Sequence, residues 1–377
     1  MVTTILGPIL PHLSARWSLS DAQAGFFFTA QFLGSLSGVG LFSLASRRQS
    51  LRTILLAGYL LMIAGVVLLG SAAHALALFG TFLAGISLGL VITASNLQVA
   101  TAPLARRAAI LSLLNVAWGV GAVLCPFLVA MTAPRIGLRS FLLLMAGALA
   151  VFLLALAASP VPLAAAVASA KSPAAGHAAS ASGFAALATL ALLFFLYVGT
   201  ENSLGGWAAS FAKRLQSGHL HLAQLAPAFF WGTLLLGRIA APVLLRRISE
   251  RRIALASMTL IFLSSLFLLL ASTLALALTG IALAGLGCAA IYPILVTWLT
   301  TLPGVAQSGL RGIPFACATL GGATLPWMVG AVSTRFGGLQ KGLLVVALAS
   351  TLLLVGSRIF QRQTALAPIP GNSGDTA

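Results

Sequence analysis

The chain has 377 residues, of which 60% are apolar and only 7% are charged, and its mean hydropathy is +1.07. A soluble domain carries roughly 25% charged residues, so this composition excludes an ordinary soluble enzyme, a disordered chain and a secreted disulfide scaffold. Lys and Arg total 21 against four acids (Asp21, Glu201, Glu250 and Asp375), giving a net charge of +17. The basic residues cluster between apolar runs, so the excess reads as loop charge of a polytopic membrane protein and not as nucleic-acid binding.

A helical span needs about 20 apolar residues. That ruler predicts twelve segments in chain order: 1–13, 21–45, 51–71, 74–99, 108–132 and 138–158, then 184–212, 223–245, 252–272, 274–301, 310–333 and 339–359. The first is short for a span. The Ala-, Ser- and Pro-rich stretch 159–182, with Lys171 and His177, is the long composition break. The expected organisation is a six-helix bundle over 1–158, a cytoplasmic linker over 159–182, a second six-helix bundle over 183–360 and a disordered cytoplasmic tail over 361–377.

Loop charge orients the array. With both termini cytoplasmic, the outer loops hold Arg16, Arg135, Arg139, Lys213, Arg214, Arg335 and Lys341. Arg238 lies inside a span, and the remaining thirteen cations fall on the cytoplasmic side. That bias matches the positive-inside rule and predicts an inner-membrane protein with both termini in the cytoplasm.

The halves repeat at an offset of 200 residues. Ala75-Leu76-Ala77-Leu78 with Gly80, Leu83, Ala84 and Gly85 recurs as Ala275-Leu276-Ala277-Leu278 with Gly280, Leu283, Ala284 and Gly285. The same register pairs Pro103 with Pro303, Gly121 with Gly321, Pro126 with Pro326, Arg135 with Arg335 and Gly137 with Gly337. A duplicated six-span unit is the layout of an alternating-access transporter. The register sets Met1 opposite Glu201, late in span 7, so the first helix is expected to lack its cytoplasmic portion.

An ionisable group inside a bilayer is expensive and needs a partner or a purpose. Glu201 is the acid well inside a span, in the run Tyr197-Val198-Gly199-Thr200-Glu201-Asn202-Ser203-Leu204-Gly205-Gly206-Trp207. It reads as an acceptor of substrate hydroxyls or as a protonatable coupling site, and otherwise as a carboxylate holding two helices together. Asn96, Asn115 and Gln31 are amides within spans, suited to hydroxylated substrates or to interhelical bonds. Trp118, Trp207 and Tyr292 offer faces that stack on sugar rings, and Asn202 adjoins Glu201. Arg238 reads as an inner-gate residue. Gly34-x-x-x-Gly38 and Gly85-x-x-x-Gly89 permit close helix approach. Cys125, Cys288 and Cys317 have no metal spacing, and the pair His219 and His221 has no acid or third ligand nearby, so no metal site is expected. There is no nucleotide loop, zinc helix or nucleophile elbow, so the chain reads as neither an ATP-driven pump nor an enzyme, and no cofactor is implied.

These features resemble the major facilitator superfamily, and within it the fucose permease branch of sugar symporters. Thr93-Ala94-Ser95-Asn96 is similar to that branch's span-4 pattern, and Leu114-Asn115-Val116-Ala117-Trp118-Gly119 to its span-5 pattern. Tyr197 to Glu201 with Gly205-Gly206-Trp207 resembles the span-7 pattern of related bacterial members, and Trp231-Gly232 with Gly237-Arg238 the span-8 pattern. The resemblance implies an all-α fold of two pseudo-symmetric bundles, and makes Asn115 a sugar contact. It also exposes departures. The branch's carboxylates in spans 1 and 4 fall near Gly7 and at Ile92, and the loop Ser46-Arg47-Arg48-Gln49-Ser50 lacks the superfamily's usual acid. Either Glu201 takes over coupling, to a proton or a sodium ion, or the protein is a uniporter. The expected function is alternating-access transport of a neutral, hexose-like monosaccharide by a monomer in the bilayer; the alternative is efflux of amphipathic small molecules.

Overall fold

A computed structural model describes residues 1–100, 103–159, 181–215, 220–302, 310 and 312–365. Most of the expected linker, His219 and the end of the expected tail lie outside the described residues. Among those described, a short 3-10 turn (Val2–Thr4) is followed by fifteen α-helices. In the first half these are α1 (Leu6–Trp17), α2 (Asp21–Ala45), α3 (Leu51–Leu69), α4 (His74–Ala100), α5 (Leu104–Ile136) and α6 (Leu138–Ala158). The second half comprises α7 (Ala181–Arg214), α8 (Leu220–Gln224), α9 (Ala226–Leu245), α10 (Glu250–Leu270), α11 (Leu274–Cys288), α12 (Ile291–Thr301), α13 (Gly312–Phe336), α14 (Leu339–Gly342) and α15 (Leu344–Ala365).

Among the described residues, eleven stretches are long and apolar enough to cross a membrane. The twelfth expected span corresponds to α1, whose 12 residues reach only about 18 Å at 1.5 Å per residue, short of a roughly 30 Å hydrocarbon core. The helix ends follow the chemistry of the backbone. Ser20 caps α2 in a reciprocal box with Gln23, while Ser50 and Thr273 accept from the third residues of α3 and α11. The two repeat-matched glycines, Gly137 and Gly337, both take positive φ, +82° and +75°, where α5 and α13 end. The duplication is therefore visible in the backbone, at positions where a side chain would be strained.

The expected continuous span over 274–301 is broken. α11 stops at Cys288 and α12 starts at Ile291. Pro293 is the cause: its ring has no N–H and collides with the carbonyl four residues back, at Ala289. The break frees the Cys288 carbonyl, and the Tyr197 hydroxyl of α7 donates to it at 3.0 Å.

In the first bundle α2 packs on α4 and α4 on α3. A Cβ on Gly34 or Gly38 would strike the α4 backbone, and one on Gly85 or Gly89 the α2 backbone, so the two GxxxG stripes face each other. In the second bundle α7 packs on α13, α15 and α11, and α9 on α11. The bundles meet through α2 with α13, α1 with α7, and α5 with α9. The first and last of these pairings are equivalent under the repeat.

The contacts between bundles run along one end of the molecule. Ala22 N–H donates to Thr334 Oγ1 at 2.9 Å, and Thr29 Oγ1 donates to the Ala323 carbonyl at 2.7 Å. A Cβ on Gly25 would come within 2.9 Å of the Trp327 Cα, and one on Gly7 within 2.8 Å of the Gly205 carbonyl. Toward the other end the same helices carry exposed side chains: Leu41 and Leu44 on α2, Leu111 to Val116 on α5, Ile239 and Val243 on α9, and Ile313 and Phe315 on α13. The named contacts thus hold the bundles together at one end, and the other is read as the open one.

A candidate site around a buried ion pair between the bundles

Glu201 lies on α7 with 7% of its surface exposed, and its carboxylate Oε1 faces the Arg238 Nη2 of α9 at 3.8 Å. That separation is longer than the roughly 2.7–2.9 Å of a charge-assisted hydrogen bond. The Arg238 Nε is also buried, without a partner. The guanidinium lies 5.1 Å from the ring centroid of Trp118, which belongs to α5 of the other bundle. Trp118 meets Trp231 of α9 edge to face at 5.7 Å. A cation, a carboxylate and two indoles therefore converge where the bundles meet, with the cation–π contact crossing between them.

Local sequence explains the convergence. Tyr197 and Glu201 are four residues apart, so they share one face of α7. That face looks toward the broken helix: Tyr197 bonds to Cys288, and its ring lies 6.2 Å from that of Tyr292, the second residue of α12. Trp231 and Arg238 are seven residues apart, two turns along one face of α9. Asn115 precedes Trp118 by three residues and Gly119 by four, and a Cβ on Gly119 would come within 2.6 Å of Leu235 of α9. Asn115 is thus exposed on the α5 face turned to the second bundle, toward the open end.

On the closed side of Trp231 a small cleft of about 10 Å³, room for roughly one water, lies between the bundles, lined by Thr3, Thr4, Phe28, Gln31, Asn202 and Trp231 among others. Its polar groups are incompletely used. The Thr3 Oγ1 is buried without a partner, the Gln31 amide reaches the Val2 and Thr3 carbonyls only at 3.5 Å, and Asn202 turns its amide N–H back to the Val198 carbonyl at 2.8 Å. Small residues make this room: a Cβ on Gly205 would come within 2.8 Å of the Trp231 ring, and one on Gly206 within 2.6 Å of Phe28.

Several of the residues singled out in the sequence gather at two neighbouring places, the cleft and the ion pair. Gln31 and Asn202 line the cleft. Glu201 and Trp118 meet at the ion pair, with Tyr292 behind Tyr197. Asn96 is exposed near the C-terminal end of α4, in the open half. Trp207 is 1% exposed, its indole N–H donating to the Pro326 carbonyl at 2.9 Å and its ring lying against Phe28, so it ties α7 to α13. Arg238, read from its position as a gate residue, is the partner of Glu201. Thr3 was not singled out, and Trp231, quoted for the span-8 pattern, was not assigned to the site; the signal for it was its two-turn spacing from Arg238. Among the described residues no group of three or more metal-ligating side chains forms.

An all-α membrane protein of two repeated bundles, closed at one end around a buried polar centre, is built as a transporter. The model of the Major Facilitator Superfamily matches residues 1–311, and the chain belongs to that family. Solved structures share its fold. A D-xylose–proton symporter superposes with a TM-score of 0.71 at 15% identity, covering 93% of each chain. The E. coli fucose–proton symporter FucP gives 0.60 at 17% identity, covering 95% of this chain and 97% of that one. A peptide transporter, POT, in complex with alafosfalin gives 0.74 at 16% identity, covering 97% and 91%. None of the curated proteins compared with the chain matches it by sequence.

Proposed function

We propose that the protein is a secondary transporter for a monosaccharide, of which a neutral hexose is the simplest case, working by alternating access and coupled to protons through Glu201. The observation that carries this reading is the meeting of Glu201, Arg238 and Trp118 between the bundles. Acceptor, donor and aromatic face together can hold the hydroxyls and the apolar face of a sugar ring. The unpartnered Thr3 hydroxyl and the amides of Gln31 and Asn202 extend the polar lining. Rocking of one bundle against the other would carry the site from the open end to the closed end. The reading is of an inner-membrane monomer, and loop charge supports placing both termini, and the open end, in the cytoplasm.

Efflux of amphipathic compounds would be served by an apolar chamber, whereas Thr3, Gln31 and Asn202 line this cleft and the Glu201–Arg238 pair lies on the same two helices as Asn202 and Trp231. The test is uptake of labelled hexoses into proteoliposomes under an imposed proton gradient. Glu201→Gln is expected to abolish gradient-driven accumulation and to spare counterflow. Equal loss of both would reduce Glu201 to a structural residue, and the absence of saturable flux across a sugar panel would end the reading.

A further inference from the structure

Resting on that transport reading, we infer that the preferred solute of this site is a monosaccharide-sized hydroxy acid with one carboxylate, which takes Arg238 from Glu201 and is carried with one proton.

The geometry of the pair is the starting point. Arg238 and Glu201 are close enough to neutralise each other, yet at 3.8 Å they are too far apart for a direct hydrogen bond. The guanidinium is covered on its face by Trp118 and keeps a buried Nε without an acceptor. Nε and one Nη form the side-on fork that matches the two oxygens of a carboxylate. Glu201 does not fill that fork. A neutral sugar can offer that fork only uncharged hydroxyl acceptors, whereas a carboxylate fills it with two parallel charge-assisted bonds, roughly twice as strong.

Charge conservation then supplies the coupling. The empty centre holds one positive and one negative charge. When a solute carboxylate engages Arg238, Glu201 loses its counter-charge. The other titratable groups facing it are Tyr197 of its own helix, Cys288 at the end of α11 and Tyr292 of α12, none of which is a cation. A buried carboxylate without a partner is held at lower cost as the neutral acid. The loaded centre is therefore guanidinium, solute carboxylate and protonated Glu201, with the same net charge as the empty one. A centre with solute but no proton, or with proton but no solute, carries an unbalanced charge through a low-dielectric region and is penalised. Only the empty and the doubly loaded forms cross freely, which makes transport a one-to-one, electroneutral symport.

The test uses full-length protein in proteoliposomes with a panel of neutral hexoses and the corresponding hexuronates and hexonates. Hexuronate or hexonate uptake is expected to exceed hexose uptake by about tenfold or more, the gain expected of a bidentate charge-assisted contact. It should respond to an imposed pH gradient and not to a valinomycin-clamped membrane potential. Arg238→Gln should remove carboxylate uptake, and Glu201→Gln should remove its pH dependence while sparing carboxylate counterflow. The wild-type measurements decide the matter even if both variants fail to fold. Faster flux of neutral hexose than of its acid, or net charge movement with the carboxylate, overturns this inference and leaves the transport reading standing. Absence of flux for both classes overturns both.

Discussion

Among the described residues, two acid–arginine pairs, Asp21 with Arg214 and Glu201 with Arg238, join helices and share little beyond their formal charge. At the closed end Asp21 of α2 accepts from Arg214 Nη2 of α7 at 2.6 Å and from the Ser333 hydroxyl of α13 at 2.5 Å. In the core, Glu201 faces Arg238 at 3.8 Å with no hydrogen bond between them. The first pair crosses between the bundles, has both Asp21 carboxylate oxygens hydrogen-bonded and is the wetter, with the side chains of Arg214 45% and Asp21 12% exposed. The second belongs to one bundle, is more enclosed, with the side chains of Arg238 23% and Glu201 9% exposed, and is incompletely bonded. A solvated pair makes a weak, replaceable contact, which suits a clasp that must open in each cycle. A buried pair is costly to leave incomplete, which suits a centre that a solute and a proton complete.

The sharpest way to break this comparison is to remove one charge from the core. Arg238→Met leaves Glu201 either charged without a counter-ion or obliged to take up a proton, and is expected to cost up to about 3–5 kcal/mol of folding stability at high pH and less at low pH, read as a lowered midpoint of thermal unfolding in detergent. Adding Glu201→Met to it should restore most of the loss, because two apolar side chains replace an ion pair at little cost. If the single variant melts like the wild type, Glu201 is not held charged by Arg238. Next in size is Tyr197→Phe, which leaves the Cys288 carbonyl at the helix break without its donor. A loss of about 1–3 kcal/mol is expected for such an orphaned group, by the same melt. Trp118→Leu removes the face over Arg238 and should cost about 0.5–2 kcal/mol. Its distinguishing readout is functional: the bundles lose a contact made through the site, so solute affinity should fall more than stability does.

Hydrophobic length and the 200-residue register carried the helices, the duplication and the facing GxxxG stripes, because each is a local or periodic property of the chain. Glu201 stood out for the same reason, since a lone acid in an apolar run is conspicuous. The break after Cys288 was legible in Pro293, although the mean hydropathy of the segment conceals it. The pairing of Glu201 with Arg238 was not legible. It depends on the rotation of α7 against α9, and a span-long apolar pattern with little amphipathic contrast does not specify which face turns inward. Arg238 on its own looked like a snorkelling gate residue. Trp207 shows the converse case: it lies within two turns of the acid, yet its N–H is committed to Pro326. The clasp was equally hidden, because Asp21 and Ser333 are 312 positions apart and meet only once both bundles have folded.

Asp21 gives the smallest expected effect in stability and the most informative one in motion. Asp21→Asn keeps the size of the side chain and can still accept from Ser333, but it gives up the charge opposite Arg214. For a solvent-exposed pair that is worth about 0–1 kcal/mol, too little to unfold the protein. The bundles are two packed bodies, however, and the clasp exists only while this end is shut, so the whole difference falls on the closed-to-open equilibrium. A change of up to 1 kcal/mol corresponds to about a fivefold shift toward the form open at this end. Spin labels or a cysteine pair placed across α2 and α13 near Ala22 and Thr334 would read the longer distance. High salt should reproduce part of the shift in the wild type and add little in the variant. An unchanged distance distribution would mean that the close backbone packing of Gly25 and Gly330 against the opposing helices holds this end shut, and that Asp21 merely decorates it.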